Sequence, residues 1–226
     1  MNIAIIPARG GSKRIPGKNI KEFCGILMIA WAVNAAKKSK LFDHIIVSTD
    51  NEETSNIAKI LDIEVPFIRP AELADDMTPT ISVVAHAISC LSLTWNIDYV
   101  CCIYPCAPLL QSDDLINALH LIKTKSSKFV YPVTEYPHPI QRAMRKSLNG
   151  LMEFYTPESE LKRTQDFETA YHDAGQFYWA KPSAWLEQKN MHSKGFGMVI
   201  PNWKVVDIDT IEDWQRAEIV FKILYP

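Results

Sequence analysis

Apolar residues in this chain fall into short unbroken runs, separated by longer stretches with helical spacing. Ile3-Ala4-Ile5-Ile6 and Ile45-Ile46-Val47 are too short for helices and carry no polar alternation. Such runs read as strands covered on both faces. Between and after them, the pattern predicts helices over residues 28–36, 52–61, 81–93 and 114–124. Further strands are predicted at 44–48, 64–68, 99–104 and 129–134. Asp50 stands where it would cap the second helix, and Ser112 with the acids after it the fourth. Alternating strand and helix predicts an α/β fold built on a parallel sheet. Near residue 135 the rhythm breaks, and 135–170 reads as an inserted subdomain within one domain spanning 1–226. A strand at 205–210 then leads into a last helix, with Thr210 and Asp213 in capping-box spacing and Ile211, Trp214, Phe221 and Leu224 facing inward.

Composition narrows the function. With 226 residues, 47% of them hydrophobic, the chain has room for one substantial core. A net charge of -2 provides no basic field for nucleic acid, so no nucleic-acid partner is expected. No apolar stretch approaches membrane-span length, and the N-terminal run is too short for a secretory signal. Five cysteines without a C-x-x-C pair, two of them (Cys101, Cys102) in a buried strand, indicate neither zinc nor a disulfide framework. A reduced, cytoplasmic protein without a membrane partner is the expectation.

Charge is concentrated locally instead. Directly after the first strand come Gly10 and Gly11 with the cations Arg9, Lys13, Arg14 and Lys18. Glycine lets backbone N–H groups approach a ligand, and converging cations suit a polyanion such as a triphosphate. A solvated surface loop is the plainer alternative. In an open α/β sheet this loop lies at the carboxyl edge of its strand, where ligands bind. The P-loop spacing G-x-x-x-x-G-K-[ST] is missed: Gly11 and Gly17 are one residue too far apart, and Asn19 replaces the hydroxyl. The G-x-G-x-x-G fingerprint is absent.

The second charged stretch is Val205-Val206-Asp207-Ile208-Asp209-Thr210. In an extended chain Asp207 and Asp209 share a face, and adjacent carboxylates are tolerated best around a cation. Mg2+ is the hard cation suited to carboxylates plus phosphates. Helix capping is the other use for these acids, although a cap employs one of them at most. Two further polar residues stay open: Thr80 as helix N-cap, ligand contact or both, and Arg163 as ligand or solvated charge. His86 reads as structural, and nothing near Cys106 in sequence would activate it as a nucleophile.

The string IPARGGSK followed by P-x-KN resembles the signature of the nonulosonate cytidylyltransferases, which make CMP-activated acidic sugars. Arg69 and Thr80, in an R-P-x-x-L-A-x-D segment and the hydroxyl after it, the R-x-Q-D segment beginning at Arg163, and D-I-D-T at 207–210 resemble further motifs of that family. The loop 104–109 departs from the usual Q-P-T-S-P-L: Tyr104 replaces glutamine, and Cys106 and Ala107 replace Thr and Ser. The segments 133–143 and 171–179 resemble the pseudaminic acid version rather than the sialic acid or Kdo versions.

The resemblance implies a Rossmann-like, mostly parallel sheet sandwiched by helices, of the nucleotide-diphospho-sugar transferase type, with a small inserted dimerisation subdomain. It implies CTP and a nine-carbon acidic sugar as partners, Mg2+ as cofactor and a homodimer. It assigns Ala8, Arg9, Gly10, Gly11, Lys13, Lys18, Asn19, Arg69 and Thr80 to nucleotide binding. Tyr104, Gln141, Arg163, Asp173, Gln176 and Tyr178 fall to the sugar, Asp207 and Asp209 to the metal, and Arg9, Lys18 and Asp209 to catalysis. Sialic or legionaminic acid is the rival substrate, and a non-catalytic nucleotide-binding module the rival of another class.

Overall fold

The computed structural model describes residues 1–225 apart from 76, 188, 189 and 193. The chain runs β1 (Asn2–Pro7), β2 (Glu22–Phe23), β3 (Ile26–Leu27), α1 (Met28–Ser39), β4 (His44–Ser48), α2 (Glu52–Ile60) and α3 (Thr80–Leu91). It continues with β5 (Tyr99–Ile103), α4 (Ser112–Thr124), β6 (Phe129–Glu135), β7 (Met144–Lys146), β8 (Met152–Phe154) and β9 (Tyr171–Asp173). Last come β10 (Phe177–Ala180), α5 (Pro182–Glu187), β11 (Phe196–Val199) and α6 (Ile211–Leu224).

The main sheet has the order β11-β6-β10-β5-β1-β4, with β9 added on β6. β1 pairs in parallel with both β4 and β5, and β6 in parallel with β11, while β10 runs antiparallel between β5 and β6. Successive side chains of a strand face opposite layers. Ile3 and Ile5 therefore join Val84, Ile88, Cys102 and Trp185 on one side, while Ala4 and Ile6 join Val33, Cys101, Leu115 and Trp179 on the other. A third apolar cluster lies beyond the carboxyl ends of the strands: Ile15, Phe23, Met28, Leu109, Ile208, Trp214, Ala217 and Phe221. Its rings meet edge to face, Phe23 on Trp214 at 5.4 Å and on Phe221 at 5.6 Å. Ile15 brings the basic loop into this cluster and Ile208 brings the acidic segment. Among the described residues, no helix is long and apolar enough to cross a membrane.

Several local expectations change. The strand predicted at 64–68 is a single bridge, Ile46 with Glu64, because Pro66 has no N–H with which to extend a ladder. Residues 205–210 are extended without joining a sheet. Three of their backbone groups go to side chains instead: Ile208 O accepts from Lys18, and the N–H groups of Asp209 and Thr210 donate to Asp213. Asn51, not Asp50, caps α2, accepting the Thr54 N–H at 2.8 Å. Gln111 precedes α4 without a side-chain cap, and Ser112 is already its first residue. Thr80 likewise opens α3 without capping it, and the helix ends at Leu91. The capping box of Thr210 and Asp213 forms as expected. Ile211 is exposed, however, and Ala217 takes the inward place assigned to it.

Phe221→Ala should lower unfolding stability by about 3–5 kcal/mol, the usual cost of emptying a buried aromatic site. Urea denaturation reads it directly. A loss below about 1 kcal/mol would mean that the third cluster does not anchor α6.

Candidate active site

A cleft of about 340 Å³ opens at the carboxyl ends of β1 and β5. Arg9, Lys13, Arg14 and Lys18 line it together with Asp207 and Asp209. Arg69, Leu73, Thr80, Val83 and Tyr104 also line it. The basic loop after β1 and the acidic segment before α6, far apart in sequence, thus share one rim.

The loop is held at several points. Gly17 turns it at φ +63°, a conformation that favours glycine. Asn19, buried, donates its amide to Arg9 O at 3.0 Å, and its Oδ1 accepts from the Cys106 thiol at 3.2 Å. Asn19 therefore ties the loop across its base as well as lining the cleft. Gly10 does not line the cleft, and neither do Ala8 and Gly11. The Gly10 N–H points to Asp50 Oδ1 at 3.2 Å, and an added Cβ would come within 2.7 Å of Asn51. In this structure Gly10 permits close packing of the loop rather than offering its N–H to a phosphate.

Opposite charges meet across the rim. Lys18 Nζ donates to Ile208 O at 2.5 Å and lies 3.4 Å from Asp209 Oδ1, where Arg14 Nη2 approaches to 2.9 Å. The Asp207 carboxyl is held above its ordinary range, first by partial desolvation and then by the charge of Asp209, with Lys18 acting in the other direction. Arg69 is buried, and the loss of solvent lowers its affinity for a proton; Asp50, 3.4 Å away, opposes that shift, and neighbouring Arg9 adds to it. Its Nε has no partner. Arg9 donates to Asp75 O at 2.8 Å, and the Asp75 carboxylate in turn caps its own turn through Met77 and Thr78. Its carboxyl is lowered chiefly by the Thr78 hydroxyl.

Asp207 and Asp209 project away from buried Ile208, so they share a face even without a strand. No group of three metal-ligating side chains occurs among the described residues. A pair of carboxylates at the mouth of a phosphate-sized, cation-lined cleft nevertheless fits Mg2+, which takes one or two protein carboxylates and completes its shell with phosphate and water.

The residues assigned to the sugar divide into three groups. Tyr104 lines the cleft, its hydroxyl 2.9 Å from Thr80 Oγ1. Asp173, Gln176 and Tyr178 lie behind the wall, where Tyr178 donates to Asp173 and Gln176 donates to Lys204 O. Gln141 and Arg163 are outside the cleft of this chain: Gln141 donates to Glu168 O, and Arg163 is exposed at the start of a 3-10 turn. Cys106 faces the cleft, but burial pushes its thiol up to about 12, so it supplies no thiolate. His86 stacks edge-on against Phe67, a structural role. The sequence reading missed Leu73, Val83 and Gly175 as cleft walls. Leu73 and Val83 carry no chemistry of their own to mark them.

A family model described as "Cytidylyltransferase" matches residues 3–215. The pseudaminic acid cytidylyltransferase of Campylobacter jejuni is 41% identical over 226 residues, 98% of this chain and 97% of that protein. The CMP-N,N'-diacetyllegionaminic acid synthase of Legionella pneumophila is 28% identical, over 98% of this chain and 96% of its own. A solved CMP:2-keto-3-deoxy-manno-octonic acid synthetase complexed with CTP superposes with a TM-score of 0.70, at 12% identity and covering 99% of each chain. At that identity the likeness concerns the fold.

A raised carboxyl pKa means that the ionised form of Asp207 destabilises the fold at neutral pH, and that this penalty disappears as pH falls through the raised value. Asp207→Asn should therefore melt at the same temperature as the parent or slightly above it in EDTA at pH 7.5. A clear drop in melting temperature would contradict this account of the rim.

Proposed function

The chain belongs to the cytidylyltransferase family, moving CMP from CTP to an acceptor, and from that premise we propose that its acceptor is pseudaminic acid. The observation that carries the substrate is 41% identity, over nearly the full length of both chains, to a pseudaminic acid cytidylyltransferase, against 28% to the legionaminic counterpart. The cleft geometry supports the general chemistry.

In this reading the 2-hydroxyl oxygen of the sugar attacks the α-phosphorus of CTP. The bond from that phosphorus to the bridging oxygen breaks, its electron pair leaves with pyrophosphate, and the hydroxyl proton passes to solvent. Such a reaction asks for positioning and charge neutralisation rather than a covalent intermediate. Arg9, Lys13 and Lys18 hold the triphosphate and then the leaving pyrophosphate. Arg69 and Thr80 hold the nucleoside end. Asp207 and Asp209 would hold Mg2+. When bound, that ion would neutralise phosphate charge and make the attacking hydroxyl more acidic. The Arg14 and Lys18 contacts with Asp209 support the idea that this carboxylate is built to face positive charge.

We further propose a homodimer formed through residues 135–170. The hairpin β7–β8 and the turns beside it expose Leu148, Leu151, Met152, Tyr155 and Leu161, an unusual apolar density for one free surface. A partner chain would cover it. That arrangement would also give exposed Arg163 a carboxylate to bind, since a guanidinium pairs bidentately with such a group.

Pyrophosphate release with CTP and Mg2+, compared across pseudaminic, N-acetylneuraminic and legionaminic acids, tests the substrate. Preference for pseudaminic acid is expected, and preference for another acid would keep the family and overturn the sugar. Asp209→Asn should cut turnover about a hundredfold or more with little change in melting temperature; an equal loss of both would remove its catalytic role. Light scattering after gel filtration should give twice the chain mass at micromolar concentration, and a monomer would exclude the interface.

A further inference from the structure

The segment carrying Asp207 and Asp209 joins no sheet, so its place depends on what pins it at either end. Downstream, Asp213 accepts the N–H groups of Asp209 and Thr210, and Ile208 is buried in the third cluster. Upstream, the chain enters from a 3-10 turn, Asn202–Lys204, in which Lys204 N–H donates to Pro201 O and Val205 N–H to Asn202 O. So short a turn is held only weakly by its own hydrogen bonds. Two further contacts fix it, and both converge on Lys204.

The first comes from α4. Lys204 Nζ donates to both oxygens of Asp114, at 3.0 and 3.1 Å. Asp114 is buried in the first turn of that helix, where a carboxylate suits the positive end of the helix dipole. Lys204 does not line the cleft, and its ammonium is committed to α4 rather than offered to a phosphate.

The second contact comes from the sheet. Buried Gln176 donates from Nε2 to Lys204 O at 2.7 Å, while its backbone O accepts the Tyr104 N–H at 2.8 Å. Its backbone is thereby fixed at the start of β10, with its sequence neighbour Gly175 lining the cleft. Gln176 Oε1 is buried without a hydrogen-bond partner. An unpaired buried amide oxygen costs stability, and an apolar side chain of that size would avoid the cost. What the amide contributes is its other half, the Nε2 that holds Lys204. Asp207 follows Lys204 by three residues, a reach of at most about 10 Å, so a shift of the turn passes directly to the carboxylate.

We propose that Lys204, clamped by Asp114 on α4 and by Gln176 at the start of β10, is a positioning residue that sets where Asp207 and Asp209 meet a divalent cation. The proposal moves Gln176 from sugar contact to support of the aspartate segment, and it rests on the reading that these carboxylates hold the metal.

Calorimetric titration of CTP into the full-length protein without sugar tests it, once in EDTA and once in Mn2+, which favours the same oxygen ligands as Mg2+. The quantity read is the factor by which the metal tightens CTP binding. Gln176→Leu removes the donor to Lys204 O together with the unpaired Oε1, and Lys204→Met removes the clamp to α4. Each should reduce the factor about tenfold, the low end of what losing a contact behind a metal ligand costs, with CTP affinity in EDTA within about twofold of the parent. A purely structural role would lower the melting temperature and leave the factor unchanged. A factor within about twofold of the parent in both variants overturns the proposal, as does an equal loss of CTP affinity in EDTA. Lys204→Met leaves Asp114 buried without its counter-charge, and should that variant fail to fold, Gln176→Leu decides. Asp207→Asn separates the two levels. A parent whose CTP affinity ignores Mn2+, or an Asp207→Asn protein with the parental factor, would remove the metal reading and the proposal with it. A lost factor in Asp207→Asn beside parental factors in the other two variants would overturn the clamp alone.

Discussion

Attraction brings basic and acidic side chains together, but it does not hold them in one geometry; in this protein apolar packing does. Ile15, at 1% exposure, fixes the basic loop, and Ile208, also at 1%, fixes the segment between the two aspartates. Both enter the cluster formed by Phe23, Trp214 and Phe221 beyond the sheet. Side chains adjacent to a buried anchor must point outward, so Asp207 and Asp209 are turned toward the cleft by the burial of Ile208. The loop cations face them because Ile15 occupies the same cluster. A site on loops thereby acquires the rigidity that positioning catalysis requires.

The resting arrangement is electrostatically unrelieved. Arg69 is buried with an incompletely paired guanidinium, Arg9 lies near it, and Asp207 is held against the charge of Asp209. A native fold is only marginally stable, so such features persist where they are useful. Under the proposed function, a triphosphate entering the cleft would meet cations already gathered, and a divalent cation would meet carboxylates already aligned. The work of assembling like charges has been done during folding, as electrostatic preorganisation requires.

Much of this was legible in the sequence because it is local. The unbroken run Ile3–Ile6 with cations directly behind it marks an edge site of a parallel sheet, and two aspartates around one isoleucine mark a shared face. Capping was less legible: Asn51 rather than Asp50 caps α2, because Asp50 is engaged by Gly10 and Arg69 from other parts of the chain. The apolar residues at 64–68 read as a strand, but Pro66 has no N–H with which to extend a ladder beyond the Glu64 bridge. Least legible was the packing behind the cleft wall. Thr80, Tyr104, Tyr178 and Asp173 lie on α3, after β5, on β10 and on β9, and only the antiparallel insertion of β10 beside β5 brings the ring of Tyr178 against that of Tyr104.

On the proposed function, one rim, fixed by Ile15 and Ile208, receives the triphosphate on the basic loop and the metal on the aspartate pair. A crystal structure with a non-hydrolysable CTP analogue and Mg2+ tests it most directly. The account predicts phosphate oxygens on Arg9, Lys13 and Lys18, the ion on Asp207 and Asp209, and Ile15 and Ile208 unmoved in their cluster. A triphosphate seated away from the loop, or an ion bound without either aspartate, would contradict it.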